Sequence, residues 1–198
     1  MILYFDTETT GLYPGSICQL SYVMQTKNGV SAKNKFFTVA HVDYGAYMVH
    51  GFSVEKLLKL SGGKRFSDAF DEINEDFIRA DAVVAHNCAF DFSFMRAEYE
   101  RLGKIFAVKK EFCSMKKSVP VCKLAKTRGT GYKYPKLYEL CEHFGITEND
   151  VRECAGDLFG KTTVGFHDAR FDTAALYLAT TNGMKRDDVF GELNDYSD

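Results

Sequence analysis

The sequence predicts an α/β domain, and three observations carry that expectation. Short apolar runs such as Ile2-Leu3-Tyr4-Phe5 and Ala82-Val83-Val84-Ala85 read as buried strands bounded by turn residues. Other stretches repeat apolar residues at helical spacing behind capping residues. Acidic residues stand where those strands end and those helices begin, and strand ends are where open α/β sheets assemble their sites.

Ile2–Phe5 is the first strand, and the segment after Gly11 is a turn. Side chains alternate along a strand, so Asp6 and Glu8 share one face and Thr7 points away. Ile17–Met24 is predicted as a second strand, Asn28-Gly29 as a hairpin turn, and Phe36–Val39 as a third strand. Together they make an antiparallel meander. Ser53 caps a helix over Val54–Leu58 that Gly62-Gly63 ends, and Ser67 caps another bearing Phe70, Ile73, Phe77 and Ile78. Beyond Ala82–Ala85, Asn87 caps a helix to about Leu102, which places Asp91 in its first turn. Pro135 opens a helix at its first position, with Leu137, Leu140, Cys141 and Phe144 as its stripe and Gly145 as its stop. Thr147 to Thr163 reads as a polar, acidic connection. The last helix holds Thr173–Ala179 and stops near Asn182-Gly183. Residues 1–183 then form the domain and 184–198 a loosely held acidic tail.

A length of 198 residues fits one domain, and 45% hydrophobic with 26% charged residues is ordinary for a globular chain. A net charge of −2 gives no overall field for polyanions, so nucleic-acid contact needs a local patch and bound metal. One such patch exists. From Lys104 to Lys136, ten Lys and Arg residues face only Glu111, with Gly129, Gly131, Tyr132 and Tyr134 among them. A solvated surface has this composition, and so does a mobile loop tracking a phosphate backbone. The acidic motifs favour the second reading. No apolar run reaches the roughly 18 residues of a membrane span, and no secretory leader is expected. The six cysteines lack CxxC and zinc spacing and read as reduced thiols in a cytosolic-type compartment.

Asp6, Glu8, Asp91 and Asp172, with His167, make four carboxylates and one imidazole. Hard oxygen ligands suit Mg²⁺ or Mn²⁺, and four acids can hold two divalent ions roughly 4 Å apart for in-line phosphoryl displacement. His167 can then accept the proton of the attacking water. Taken singly, Asp6 and Glu8 are also a strand end entering a polar turn, and Asp91 a helix-start charge complementing the dipole. Their joint occurrence favours the metal site. His167 and Asp172 are five apart, about 140° on a continuous helix, so they converge only if His167 lies in the loop before it. His41, His50, His86 and His143 receive no catalytic role.

The motifs DTETTG, HNCAFD and HDARFD, in that order, resemble those of the DEDDh 3′–5′ exonucleases, a family that includes proofreading subunits of replicative polymerases. The His-x₄-Asp spacing of His167 and Asp172 matches its histidine subclass, and the resemblance spans about Ile2 to Leu178, including HGFS at His50–Ser53. It implies a ribonuclease H-like fold, α/β with a mixed five-stranded sheet flanked by helices. It also implies release of nucleoside 5′-monophosphates from a 3′ end, with two divalent cations, Mg²⁺ or Mn²⁺, on Asp6, Glu8, Asp91 and Asp172. By the same resemblance Leu12 wedges against the terminal base and Phe52 stacks on it; Thr7 and Asn87 complete the expected substrate-binding set. The connection from Gly145 to His167 and the basic stretch are both longer than in compact family members.

A haloacid-dehalogenase-type phosphatase is disfavoured, because it needs Asp-x-Asp where this chain has Glu8, and it needs a late acidic pair that is missing. A nuclease-like scaffold serving a polymerase would have lost ligands, whereas all five positions are filled. The favoured substrate is a single-stranded or frayed DNA 3′ end, as in proofreading, with a polymerase or replication partner left open. RNA 3′-end trimming is the alternative, since no residue type identifies a 2′-hydroxyl reader.

Overall fold

A computed structural model describes residues 1–160, 164–186 and 189–196. Its centre is β1 (Ile2–Thr9), which runs on through Asp6 and Glu8 instead of stopping at Phe5. β1 pairs antiparallel with β2 (Ile17–Thr26) and parallel with β4 (Ala82–Ala85). β3 (Gly29–Phe36) extends β2 at one edge and β5 (Glu111–Cys113) extends β4 at the other. The sheet is therefore mixed and five-stranded, in the order β3-β2-β1-β4-β5.

The alternation of β1 sorts the helices. Ile2 and Tyr4 pack on one face with α7 (Leu137–His143), α8 (Glu148–Phe159) and α9 (Ala169–Arg186). Leu3 and Phe5 pack on the other with α3 (Phe70–Arg79) and α4 (Cys88–Arg101). Because the pleat continues, Asp6 and Glu8 fall on the α9 face and Thr7 on the α4 face. α1 (Tyr44–His50) lies against the end of β1 and α2 (Val54–Ser61) packs beside β3, with Ser53 and left-handed Gly62 capping α2 as expected. The basic stretch folds in part, into β5, α5 (Ser114–Lys117) and α6 (Val119–Cys122).

Several expectations change. The third strand is Gly29–Phe36, directly after the hairpin turn, because an edge strand with exposed side chains needs no apolar run. Ser67 lies inside a 3₁₀ turn over Phe66–Ala69 and caps nothing; Asp68 closes that turn onto the Arg65 N–H. Pro135 precedes the cap Lys136, so α7 starts two residues later. Thr147 caps α8 reciprocally with Asp150, so most of the expected connection is helical; residues 161–163 lie outside the described set. Gly183 is interior to α9, where a Cβ would collide with Phe190 and Phe144. The C-terminal segment, expected to be loose, is docked in its described part. Phe190 and Leu193 are fully buried, and Tyr196 O accepts from the Met1 ammonium at 2.9 Å. Residues 187, 188, 197 and 198 of that segment lie outside the description. All six cysteines are free. No described helix is long and apolar enough to cross a membrane.

Candidate active site

β1 ends where three segments meet: its own acidic turn, the start of α4 and the loop before α9. Asp6 and Glu8 project toward α9, and Asp172 in that helix's first turn projects back. A carboxylate oxygen from each of the three lies within 4.8 Å of the others. Asp91 stands outside this trio for a reason visible in the pleat, since α4 packs on the opposite face. Its Oδ1 accepts from the Thr7 hydroxyl at 2.8 Å and the Thr7 N–H at 3.2 Å. It still lines the same cleft, of about 550 Å³, as Asp6, Glu8, His167 and Asp172. The structure thus brings all five predicted residues to one cleft while only three carboxylates touch as a cluster.

Glu8 and Asp91 are buried and Asp6 and Asp172 half-buried, and no basic side chain neutralises them. Burial, then the charges of Asp91, Asp172, Glu8 and Asp168, push Asp6 well above the usual carboxylate range. Burial followed by Asp172, Asp168 and Asp91 raises Glu8 to about 9. Burial raises Asp91 and Asp172 to about 7, against hydrogen bonds from Thr7 and from the His167 N–H respectively. Every charged group acting on Asp6 and Glu8 is itself an acid. Oxygen-only donors, clustered and starved of positive charge, fit a divalent cation.

His167 takes a left-handed backbone, φ 68°, in the loop before α9, and its N–H donates to Asp172 Oδ2 at 2.9 Å. Its imidazole is exposed in the cleft, the placement that its five-residue offset required. A contact that sequence reasoning missed fixes this loop. Arg170 makes two parallel hydrogen bonds to Asp168, at 2.9 and 2.7 Å, and Gln19 donates to the same carboxylate at 2.9 Å. Gln19 is the register partner of Glu8, so β2 anchors the loop beside the acids. The opposite charges of Asp168 and Arg170 inside the third motif were the available signal.

The substrate-binding expectations divide. Leu12 is 84% exposed and lines a second lobe, about 590 Å³, with Tyr13, Val49, His50 and Phe90. Asn87 occupies the cap position of α4 but makes no cap bond, and it faces the cleft. Thr7 commits its hydroxyl to Asp91, which makes it a positioning residue. Phe52 is a correction. It is only 4% exposed, its ring stacks on His50 and carries Lys56 Nζ, and it lines neither lobe of the cleft. His50, given no role from sequence, is the residue of that segment which lines the lobe. Its Nε2 lies 3.2 Å from Thr9 O and its Nδ1 accepts from the Phe52 N–H, while burial lowers its pKa.

The RNase_T exonuclease family model matches residues 3–151, which include the first two motifs. The DNA polymerase III subunit epsilon of Escherichia coli K12 is 31% identical over 192 residues, covering 92% of this chain and 72% of the relative. The Rickettsia prowazekii epsilon subunit is 26% identical over 192 residues, covering 92% and 75%. Among solved structures, E. coli Exonuclease I in complex with a dA16 oligonucleotide superposes with TM-score 0.71 at 16% identity. This chain is covered over 98% of its length but spans less than half, 43%, of that protein. The nuclease domain of 3′hExo, a DEDDh family member bound to rAMP, superposes at 0.69 with 10% identity, covering 96% and 93%. These structural likenesses agree with the sheet order and its flanking helices. The family is divalent-metal dependent, as the charge-starved carboxylates require. Both the sequence match and the convergence of the three motifs on β1 therefore place this chain among the DEDDh 3′–5′ exonucleases of the exonuclease family.

Proposed function

We propose that this exonuclease removes nucleotides singly from single-stranded or frayed DNA 3′ ends, releasing nucleoside 5′-monophosphates. The observation that carries the reading is the Asp6-Glu8-Asp172 cluster, whose acids face other carboxylates and no basic side chain, set between two lobes of one cleft. Thr7, Glu8 and Phe90 line both lobes. The lobe of Leu12, Tyr13, Val49 and His50 is the more apolar and takes the terminal nucleoside. The scissile phosphate then lies over the acids.

Asp6, Glu8 and Asp172 would hold Mg²⁺ or Mn²⁺, and Asp91, with one oxygen left free by Thr7, would complete a site for a second ion. Bound divalent ions supply charge neutralisation at the phosphate and a lowered pKa for the attacking water. His167 accepts that water's proton at its imidazole. Asp172 orients the His167 loop by accepting from its backbone N–H, and Gln19 with Arg170 fixes the same loop through Asp168. The similarity to epsilon subunits supports a proofreading role beside a replicative polymerase, and six free cysteines support a reducing compartment.

The test is side-by-side digestion of 5′-labelled DNA and RNA oligonucleotides with Mg²⁺ or Mn²⁺. Stepwise shortening of DNA from the 3′ end, faster than of RNA, is expected. Faster RNA shortening would replace the DNA reading with RNA trimming.

A further inference from the structure

The Lys123–Lys136 segment is not used by the chemistry above, yet it leads directly into the cleft. After α6 it forms a short hairpin. Ala125 bridges Tyr132, the Lys133 N–H donates to Leu124 O at 2.8 Å, and the Lys126 N–H donates to Gly131 O at 3.3 Å. The tip, residues 127–130, is exposed. Its base is fixed to the site, because Pro135 O lies 2.9 Å from His86 Nε2 and Lys136, Leu137 and Tyr138 line the cleft. They line the lobe opposite Leu12.

The charges of this region divide into two sets. Lys109, Lys110, Lys117 and Lys133 are paired with Asp81, Glu192, Glu192 and Glu139. Lys116, Lys123, Lys126 and Arg128 make no ion pair among the described residues and are exposed. Tyr132 and Tyr134 are about half exposed beside them. Unpaired cations interleaved with exposed aromatic rings, on a chain whose net charge is −2, concentrate the attraction for a polyanion at this one place.

We infer that the hairpin is a binding arm for the single-stranded polynucleotide on the 5′ side of the scissile phosphate. Lys123, Lys126 and Arg128 contact successive phosphates, and Tyr132 and Tyr134 stack on bases. The direction follows from the two lobes. With the terminal nucleoside in the Leu12 lobe, the strand leaves past Lys136 and Tyr138, toward the hairpin. The inference rests on the proposed seating of the 3′ end, and its test separates the two.

The experiment compares wild type with a Lys123→Gln/Lys126→Gln/Arg128→Gln variant, checked for an unchanged melting temperature. Cleavage of a dinucleotide, too short to reach the arm, should be equal in both proteins. For a 20-nucleotide single strand, the variant should lose roughly tenfold in kcat/KM at low salt through KM, with kcat kept. The plot of log kcat/KM against log salt should flatten by about 2, since each phosphate contact on a single strand contributes a slope of about 0.7. Fluorescence anisotropy of the same strand, with Ca²⁺ replacing Mg²⁺, reads binding without turnover. Loss of affinity there in the variant supports the arm even if the enzyme cuts in another direction or prefers RNA. Equal affinity and slope in both proteins overturn the inference and leave the basic surface to an acidic protein partner. An equal loss on the dinucleotide overturns it in favour of a structural role.

Discussion

Asp168 and Asp172 lie one helical turn apart at the start of α9, and their electrostatic surroundings are opposite. Both are largely buried. Burial works against the charge of Asp168, but hydrogen bonds from Arg170 and Gln19 outweigh it and hold its pKa below the ordinary value. Asp172 has only the His167 N–H to offset burial and the neighbouring acids, and it rises to about 7. The protein can therefore satisfy a buried acid at this spot and does so four residues away. The positive charge missing around Asp6, Glu8 and Asp172 must come from outside the chain.

Removing a member of the unsatisfied set should have the largest effect. Asp6→Asn is expected to fold and to lose at least roughly 10³-fold in kcat/KM, since the ions it helps hold contribute several kcal/mol to the transition state. Its melting temperature in EDTA at pH 8 should exceed that of wild type, because one source of repulsion is gone. A lower melting temperature there would show that the acids are not in conflict. Next comes His167→Ala. Loss of a general base should lower kcat by roughly 10²- to 10⁴-fold while Mn²⁺ affinity, measured by calorimetry, stays near wild type. Parallel loss of metal affinity would make His167 a ligand instead.

Arg170→Ala would convert Asp168 into a second Asp172. With both partners only 15 to 18% exposed, the variant should lose about 2–3 kcal/mol in urea unfolding. Adding Asp168→Asn should restore part of that loss. If the single variant is as stable as wild type, the pair is not what holds the loop.

The smallest effect is the pH dependence of the metal-free protein. Asp91 and Asp172 at about 7 and Glu8 at about 9 bind protons more tightly in the fold than at their ordinary values of 3.8 and 4.5. Their stabilisation is fully present below the ordinary values and is lost as pH rises through about 7 to 9. His86, lowered to about 4 by burial, acts in the opposite sense below its ordinary 6.5, and Cys113, lowered to about 6 by its hydrogen bond with Cys88, does so up to its ordinary 9.0, so the quantity to read is the difference between the EDTA and Mg²⁺ profiles. Between pH 7 and 9 the melting temperature in EDTA should fall by about 4 °C or more relative to that in saturating Mg²⁺. Parallel profiles with and without Mg²⁺ would break the contrast between the two aspartates.

Much of this was legible in the chain because it depends on local rules. The strand period alone put Asp6 and Glu8 on one face, Ser53 and Gly62 marked the limits of α2, and a five-residue offset required His167 to sit outside α9. The three motifs, read together, named the acids and the family. What the sequence could not decide depended on partners distant along the chain. β5 hides in a basic stretch because a three-residue edge strand is specified by the neighbour it pairs with. Gly183 reads as a helix stop until Phe190 folds back over it, and the acidic tail reads as loose until Phe190 and Leu193 find the core. Phe52 has the composition of a base-stacking residue, and only its burial against His50 removes it from the cleft. The separation of Asp91 from the other three acids was likewise settled in three dimensions. Side-chain alternation assigns a residue to a face, but which helix covers that face is decided by packing.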